Sequence, residues 1–174
     1  LLGDGRKFGF TRLHYASQEE AGGIAQALGL AQSFAGDDDI LVILGDNIIE
    51  CNILDAARDF EGQKGGAKLI LTEVSNPSAY GVAEVKDGRI IDLQEKPANP
   101  KSNLVAIGIY FYSMEVFDVI EALEPSARGE LEIYIVIEAF VPAIETTVVV
   151  HHCGVALVHV LGGVIEHVVV EPVR

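Results

Sequence analysis

The sequence predicts an α/β protein in which helices cover both faces of a central β-sheet. Residues 40–44 are five apolar residues in a row, and a strand without polar alternation is typical of a parallel sheet that is buried on both faces. Candidate strands and helices alternate along the rest of the chain. Gly45, Asp46 and Asn47 follow residues 40–44 directly, at the strand end where such sheets bind ligands.

The first half of the chain contains two strand candidates and two helix candidates. Residues 13–16 predict a short strand, and residues 20–31 repeat apolar side chains at helical spacing. The acidic residues 37–39 predict a solvated loop before the strand at residues 40–44. A helix over residues 52–60 follows, beginning with an asparagine that can serve as its N-cap.

The second half begins with a strand at residues 68–74. Residues 81–93 predict a hairpin, because an Asp-Gly pair at its centre supplies the positive φ angles of a tight two-residue turn. Residues 105–112 predict a further strand, and residues 113–123 a helix that begins with a serine cap.

The chain has no internal repeat and no linker rich in Pro or Ser, so residues 1–174 predict a single domain. Residues 141–174 include 12 valines, which favour strands but leave few polar positions to fix their register. The histidines of this segment are interpreted as strand residues rather than as a transition-metal site, because adjacent residues of a strand point to opposite faces.

Composition excludes several classes of protein. Apolar residues make up 49% of the chain, which indicates a globular protein, and no apolar stretch is long enough to cross a bilayer. The net charge of −14 leaves no basic stripe for nucleic acid. Cys51 and Cys153 lack the number and spacing of a disulfide framework, and the first residues lack a secretion signal, so we expect a cytoplasmic protein.

The polar residues after the strand at residues 40–44 are the first candidate site. Asp46 offers a hard oxygen donor suited to a Mg²⁺ ion that bridges phosphate oxygens, and Gly45 lets the backbone approach a ligand closely. The alternative is that Asp46 and Asn47 only form a turn before the next helix.

Two glycine-containing turns are further candidates. Gln18 and Gly23 bracket the entry to the first helix, where a side-chain amide and a free backbone can read the edge of a nucleobase. The alternative is an ordinary loop at a helix N-terminus. Gly81 opens the hairpin and would let a sugar lie against the main chain, unless it is an ordinary strand-entry glycine.

Charged residues complete the candidate set. Glu95 and Lys96 close the hairpin and pair an acceptor for vicinal hydroxyls with a cation for a phosphate. The alternative is a weak surface ion pair. Arg128 lies in a loop before another helix, and its alternative role is a surface salt bridge to Glu130 or Glu132.

The ordered set of these segments resembles the sugar-phosphate nucleotidylyltransferases, most closely their glucose-1-phosphate thymidylyltransferase branch. The likeness covers roughly residues 1–133 and rests on segment order and spacing. The segments are Gln18-Glu-Glu-Ala-Gly-Gly-Ile-Ala-Gln-Ala, Leu44-Gly-Asp-Asn, Asn76-Pro-Ser-Ala-Tyr-Gly-Val, Glu95-Lys-Pro, Lys101-Ser-Asn, Gly108-Ile-Tyr-Phe-Tyr and Pro125-Ser-Ala-Arg-Gly-Glu-Leu-Glu-Ile.

The resemblance implies a Rossmann-like nucleotidyltransferase fold, which is a three-layer sandwich with a mixed, mostly parallel sheet. It also implies a reaction in which a sugar 1-phosphate attacks the α-phosphorus of dTTP, with Mg²⁺ as cofactor and pyrophosphate as leaving group. The implied partners are small-molecule substrates, a nucleoside triphosphate and a sugar 1-phosphate, with no nucleic acid and no membrane. A homo-oligomer is expected.

The resemblance also implies roles on the nucleotide side. Gln18 and Gly23 would hold the base, and Asp46 would ligate Mg²⁺. Asp46 and Lys96 would be the catalytic residues, because phosphoryl-type transfer asks a protein mainly to position anions and neutralise charge.

On the sugar side, the resemblance implies that Gly81 and Glu95 bind glucosyl hydroxyls, while Lys96 binds the sugar phosphate. Ala106 and Gly108 would wall the sugar pocket, and Arg128 would face the sugar phosphate.

The chain departs from the family at both ends. The family opens with a strand, a glycine-rich loop with an Arg, and a Lys that bind the triphosphate, and none of these precedes Leu1, so the N-terminal part of the fold is expected to be absent and the 174-residue chain alone inactive. After Ile133 the family expects Thr-Asp and an Asn, where this chain has Tyr134, Ile135 and Ile137.

Residues 134–174 are atypical for the family. Leu157 and His159 align with a Trp and with the second metal-binding Asp, and a neutral imidazole is a poor Mg²⁺ ligand. The missing phosphate loop and His159 favour one alternative, a non-catalytic relative that binds nucleotide sugars through Gly81, Glu95 and Lys96. The nearest alternative within the same enzyme class is a uridylyltransferase that uses UTP.

Overall fold

The structure is a computed structural model that describes residues 3–10, 13–45, 47–49, 52–141, 147–150 and 155–157. Its strands are β1 (Ile40–Ile43), β2 (Asn47–Ile49), β3 (Ala67–Glu73), β4 (Gly81–Lys86), β5 (Arg89–Glu95), β6 (Leu104–Tyr112), β7 (Thr147–Val150) and β8 (Val155–Leu157). Its α-helices are α1 (Ile24–Gly29), α2 (Gln32–Ala35), α3 (Leu54–Glu61), α4 (Val116–Glu121) and α5 (Ile133–Phe140).

A mixed sheet of six described strands forms the centre of the fold, as predicted. Its order is β1-β6-β3-β7-β5-β4, with a further pairing of β4 and β6, and β2 pairs with β8 in a second sheet. The expected predominance of parallel pairing is not found among these strands, because only β3 and β7 are parallel neighbours. The reason is that β6 returns in the opposite direction between β1 and β3, and that β4 and β5 form a hairpin.

Two apolar cores lie on opposite faces of the sheet and confirm the three-layer arrangement. Successive residues of β3 alternate between them: Leu69 and Leu71 pack with α1, α2, α4 and α5, whereas Ile70 packs with α3. Phe111 of β6 packs on the same face as Ile70, and its ring lies 5.7 Å from that of Phe60 in α3. Within the described part of the chain, no helix is long and apolar enough to cross a membrane.

Strand β1 differs from its prediction. Residues 40–44 were expected to be covered on both faces, but Ile40 is buried whereas Ile43 is 46% exposed. Among the described strands β1 has one sheet neighbour, β6, and stands last in the strand order, which explains the partial cover.

Three local features were predicted from the sequence, and the structure confirms one of them and contradicts two. The hairpin turn is confirmed, with φ of 52° at Asp87 and 77° at Gly88. The strand predicted at residues 13–16 is wrong, because these residues have no regular structure, and His14 and Tyr15 are exposed. Ser113 does not cap α4, because its hydroxyl bonds the main chain of Gly66 instead.

Candidate substrate-binding site

The turn that leads into α1 is organised by the amide of Gln18. Its Nε2 donates to the carbonyl oxygen of Gly23 at 3.1 Å and to Oε1 of Gln26 at 2.6 Å. A carbonyl can only accept a hydrogen bond, so the nitrogen of the Gln18 amide must face Gly23. Both hydrogens of Nε2 are then used inside the protein, and Oε1 takes no part in either bond.

Gly23 lies where the turn crosses the chain of Leu131. Its φ of 93° and ψ of 169° fall in a region that only glycine adopts readily, and a Cβ there would stand 3.0 Å from Leu131 C and N and overlap its carbonyl oxygen. Leu131 N donates to Gly22 O at 2.8 Å, and Ala25 N donates to Leu131 O at 3.2 Å. The turn is therefore clamped to the segment that follows Arg128.

The open end of the β4–β5 hairpin brings Gly81, Glu95 and Lys96 together. Gly81 pairs with Glu95, and a Cβ on Gly81 would stand 3.3 Å from Glu95 Oε2. Lys96 Nζ lies 3.4 Å from Glu95 Oε1, so the surface ion pair that was the alternative interpretation is present. However, Lys96 has a φ of 45°, and its N donates to Tyr80 O at 2.9 Å, a strained backbone that an ion pair does not require.

A bulge in β6 brings Gly108 against the turn after β1. Leu69 pairs with Tyr110 but Leu71 pairs with Ala106, so β6 contains extra residues around Gly108, whose φ is 73°. A Cβ on Gly108 would stand 2.6 Å from Asn47 Nδ2 and 2.9 Å from a Leu44 methyl group.

The main chains also meet at the bulge, because Leu44 N donates to Gly108 O at 2.9 Å and Asn47 N donates to Leu44 O at 3.2 Å. Asp46 lies outside the described residues, so its predicted role is not tested. Leu157 of β8 stands opposite Asn47, which brings the tail that precedes His159 to the same strand pair, although His159 is also outside the described residues.

Arg128 forms the ion pair that was its alternative role. Its Nη2 lies 2.7 Å from both carboxylate oxygens of Glu132, and its Nε donates to Glu132 Oε1 at 3.0 Å. The hydrogen bonds that Arg128 donates to Glu132 are the main cause of the raised pKa of Arg128, and the charges of Glu130 and Glu95 raise that pKa further. The Glu95 carboxylate at the hairpin end is therefore within electrostatic range of the Arg128 guanidinium.

These contacts connect the described site residues into one continuous region. Leu131 joins the Gln18 turn to the Arg128 loop, and α5, which begins directly after this loop, packs on β5. Val82 pairs with Val105 across β4 and β6, so their neighbours Gly81 and Ala106 are adjacent as well.

The carboxylate of Glu132 adjoins the candidate site, although the sequence indicated it only as a surface partner of Arg128. Its side chain is 9% exposed, and nothing in an Arg-x-x-x-Glu spacing distinguishes a buried carboxylate from an exposed one. Among the described residues, no group of three or more His, Cys, Asp and Glu side chains could hold a metal ion.

Comparison with known proteins gives a consistent result. Residues 1–153 match the family described as nucleotidyl transferase. The chain is 46% identical over 134 residues to glucose-1-phosphate thymidylyltransferase of Streptomyces antibioticus, and 48% identical over 134 residues to the low-salt glycan biosynthesis nucleotidyltransferase Agl11 of Haloferax volcanii. Each match covers 76% of this chain and 37% of the relative, so the chain spans well under half the length of these proteins.

Solved structures agree with the sequence matches. A crystal structure from Bacillus anthracis, described as a glucose-1-phosphate thymidylyltransferase in complex with sucrose, superposes with a TM-score of 0.83 at 43% identity, over 88% of this chain and 62% of that one. A UDP-glucose pyrophosphorylase with UDP-glucose has a TM-score of 0.71 at 19% identity, which shows the shared fold alone. The chain therefore belongs to the nucleotidyl transferase family.

Proposed function

We propose that the protein containing this chain transfers a thymidylyl group from dTTP to glucose 1-phosphate. A phosphate oxygen of the sugar would bond to the α-phosphorus while the bond from that phosphorus to the bridging oxygen breaks, which releases pyrophosphate and forms dTDP-glucose. Family membership and the names of the similar proteins support this reaction class. The choice of dTTP and of glucose is the finer part of the proposal.

The backbone at Lys96 is the observation that carries the proposal. A non-glycine residue with positive φ costs on the order of 1–3 kcal/mol, and such strain clusters at ligand-binding positions. Here it sets the direction of a cation that is 49% exposed, directly beside the 30% exposed Glu95 carboxylate. An acceptor for hydroxyls and a donor for phosphate therefore stand side by side, as a sugar phosphate requires.

The other sugar-side residues fit around this pair. Gly81 leaves open the space beside Glu95 that a side chain would fill, so a hexose could lie against the main chain there. Ala106 adjoins Gly81 through the pairing of β4 with β6, and the Gly108 bulge continues the same wall. Arg128 would add a second cation for the sugar phosphate.

The Gln18 amide supports a thymine or uracil base. With both Nε2 hydrogens bonded to Gly23 and Gln26, the amide offers Oε1 as a hydrogen-bond acceptor. Thymine and uracil present an N–H on their Watson–Crick edge at N3, where cytosine presents an acceptor. The same contact would accept UTP, so we propose dTTP from the resemblance to the thymidylyltransferases rather than from this amide.

Asp46 is the residue that we propose to hold Mg²⁺. A carboxylate is a suitable ligand for this ion. Asp46 falls between Leu44, whose N donates to Gly108 O in the bulge of β6, and Asn47, whose N donates to Leu44 O. The ion, when bound, would neutralise charge on the phosphate oxygens.

The test measures product formation and ligand affinity in the complete protein. Wild type is assayed for pyrophosphate release with glucose 1-phosphate and dTTP, UTP or ATP, and the expected order is dTTP first. Glu95→Gln replaces a charge-assisted hydrogen bond by a neutral one, which should weaken glucose 1-phosphate about fivefold to tenfold and leave dTTP nearly unchanged. Glu73→Gln, at the exposed end of β3, is the matched control.

The outcomes separate the alternatives. A wild type that prefers UTP is a uridylyltransferase, and one that binds dTDP-glucose but forms no product is a non-catalytic relative. If Glu95→Gln weakens both ligands equally, Glu95 supports the fold rather than the sugar.

A further inference from the structure

The carboxylate of Glu132 is surrounded by donors from the loop that precedes it. Arg128 supplies Nε and Nη2, with Nη2 at 2.7 Å from each carboxylate oxygen, and the hydroxyl of Ser126 donates to Oε1 at 2.9 Å. Two donors of one guanidinium on one carboxylate fix its plane as well as its position. The ion pair therefore holds Arg128 in one orientation.

This pair is poorly explained as a stabilising device. The Glu132 side chain is only 9% exposed whereas that of Arg128 is 51% exposed, so the carboxylate has lost most of its water. The cost of removing a carboxylate from water commonly cancels the attraction of its partner, and a well-packed apolar residue is often as stabilising. The ion pair holds the guanidinium of Arg128 in a fixed position, which an apolar residue in place of Glu132 would not do.

The loop that carries Arg128 is itself fixed. Ser126 N donates to Glu130 O at 2.9 Å, Gly129 N donates to Ser126 O at 2.8 Å, and Arg128 N donates to Ser126 Oγ at 3.2 Å. Leu131, which follows this loop, is bonded to the Gln18 turn as described above. The guanidinium is thus held at a set position relative to the proposed base-binding turn.

The pairing also leaves part of the guanidinium for a ligand. The contacts to Glu132 and the longer one to Glu130, at 3.8 Å, all use Nε or Nη2, and none uses Nη1. Other acidic groups compete for the same cation, because Glu130 and Glu95 both raise the pKa of Arg128. Without Glu132, the Arg128 side chain could turn to Glu130 or Glu95 and would no longer be available to bind an incoming anion.

We propose that Glu132 is a positioning residue, which holds Arg128 so that Nη1 remains directed to the phosphate of the sugar 1-phosphate. The inference rests on the proposed function and adds to it a residue that acts through Arg128 without touching the substrate. Glu132 would thereby set the affinity for the sugar phosphate and leave the nucleotide contacts at Gln18 unaffected.

The first test is Glu132→Gln in the complete protein, with Glu130→Gln as the matched control. The new amide can accept from Ser126 but cannot hold a guanidinium by a charged two-donor contact, so the KM for glucose 1-phosphate should rise about tenfold. Because ground-state and transition-state binding are lost together, kcat should stay within about twofold of wild type, and so should the KM for dTTP. Glu130→Gln should leave all three values near those of wild type.

The second test separates positioning from folding. In an Arg128→Gln background, adding Glu132→Gln should raise the KM for glucose 1-phosphate by less than about twofold, because Glu132 then has no guanidinium to position. This double variant leaves neither charge of the pair without its partner, so it remains informative if Glu132→Gln alone melts early.

Each result has one meaning. An active wild type with Glu132→Gln equal to Glu130→Gln overturns the positioning role alone, and so does an additive loss in the double variant. A wild type that forms no sugar nucleotide overturns the proposed function and this inference with it.

Discussion

Replacing Gly23 by alanine perturbs the contact that joins the two halves of the site. The new Cβ would overlap the carbonyl oxygen of Leu131 and stand 3.0 Å from its C and N, all of them backbone atoms that cannot move aside as a flexible side chain would. Alanine in this backbone conformation costs about 1–3 kcal/mol. Displacing the packed main chain costs about 1–3 kcal/mol more. We expect a total loss of about 4 kcal/mol, against a typical stability of about 5–15 kcal/mol.

Gly36→Ala is the control for the conformational part of this loss. Gly36 also has positive φ, 61° with ψ of −125°, but nothing lies within 4 Å of a Cβ there. It should therefore lose only the conformational term, about 1–3 kcal/mol. Urea unfolding of the complete protein measures both variants, and titration calorimetry measures dTTP and glucose 1-phosphate.

Gly23→Ala should be the less stable of the two variants by about 2 kcal/mol, the packing term. It should also weaken both ligands, because the bond from Leu131 N to Gly22 O must lengthen. Equal destabilisation by the two substitutions, or unchanged affinity for both ligands in Gly23→Ala, would refute the clamp between the Gln18 turn and the Arg128 loop.

Three further substitutions test separate parts of the molecule. Asp46→Asn should cost several kcal/mol of transition-state stabilisation with an unchanged melting temperature, and wild-type turnover would return Asp46 to a plain turn. Lys68 is 1% exposed, and burial lowers its pKa, so its charge is costly to keep inside the protein. Lys68→Met should therefore leave the free energy of unfolding unchanged or raise it by up to about 1 kcal/mol. A clear loss of stability in urea unfolding would contradict this expectation. The hydrogen bond from Lys101 lowers the pKa of Asp92 in the folded chain below its unfolded value near 3.8. The stability that this hydrogen bond contributes is therefore present above pH 3.8 and is lost as the pH falls through the folded-state pKa of Asp92. Lys101→Met should therefore destabilise at neutral pH with a deficit that narrows in acid, and a deficit that does not change with pH would exclude this linkage.

The features that were predicted correctly depend on short stretches of chain. An Asp-Gly pair between alternating residues determines a hairpin by its own φ angles, so β4 and β5 could be placed from sequence. The apolar run of residues 105–112 likewise predicted a strand whose inner residues are buried on both faces. The order of the site segments along the chain, with the family resemblance, predicted which residues to consider.

The features that were missed depend on contacts between distant segments. The partial exposure of β1 depends on which strands stand beside it, and the apolar residues of β1 do not indicate which strands these are. Gly23 could be interpreted from the sequence as an ordinary helix-entry glycine. The main chain of Leu131, which leaves no room for a side chain at Gly23, lies more than a hundred residues away along the sequence. Glu132 had the spacing of a surface pair, but its side chain is only 9% exposed in the folded chain.

The departures from the family after Ile133 have unequal consequences for the site. Ile137, where the family has an Asn, is 1% exposed in the core under α1 and α4, so an apolar side chain there is satisfied by packing and a polar one would need a buried partner. Tyr134, where the family has a Thr, is different: burial raises its pKa, and the charges of Glu132, Glu138 and Glu95 raise it further. The Tyr134 phenol is therefore within electrostatic range of Glu132, Arg128 and Glu95. If the proposed function holds, we expect the substitution at Tyr134 to affect the contacts with the sugar phosphate and that at Ile137 to affect the stability of α5.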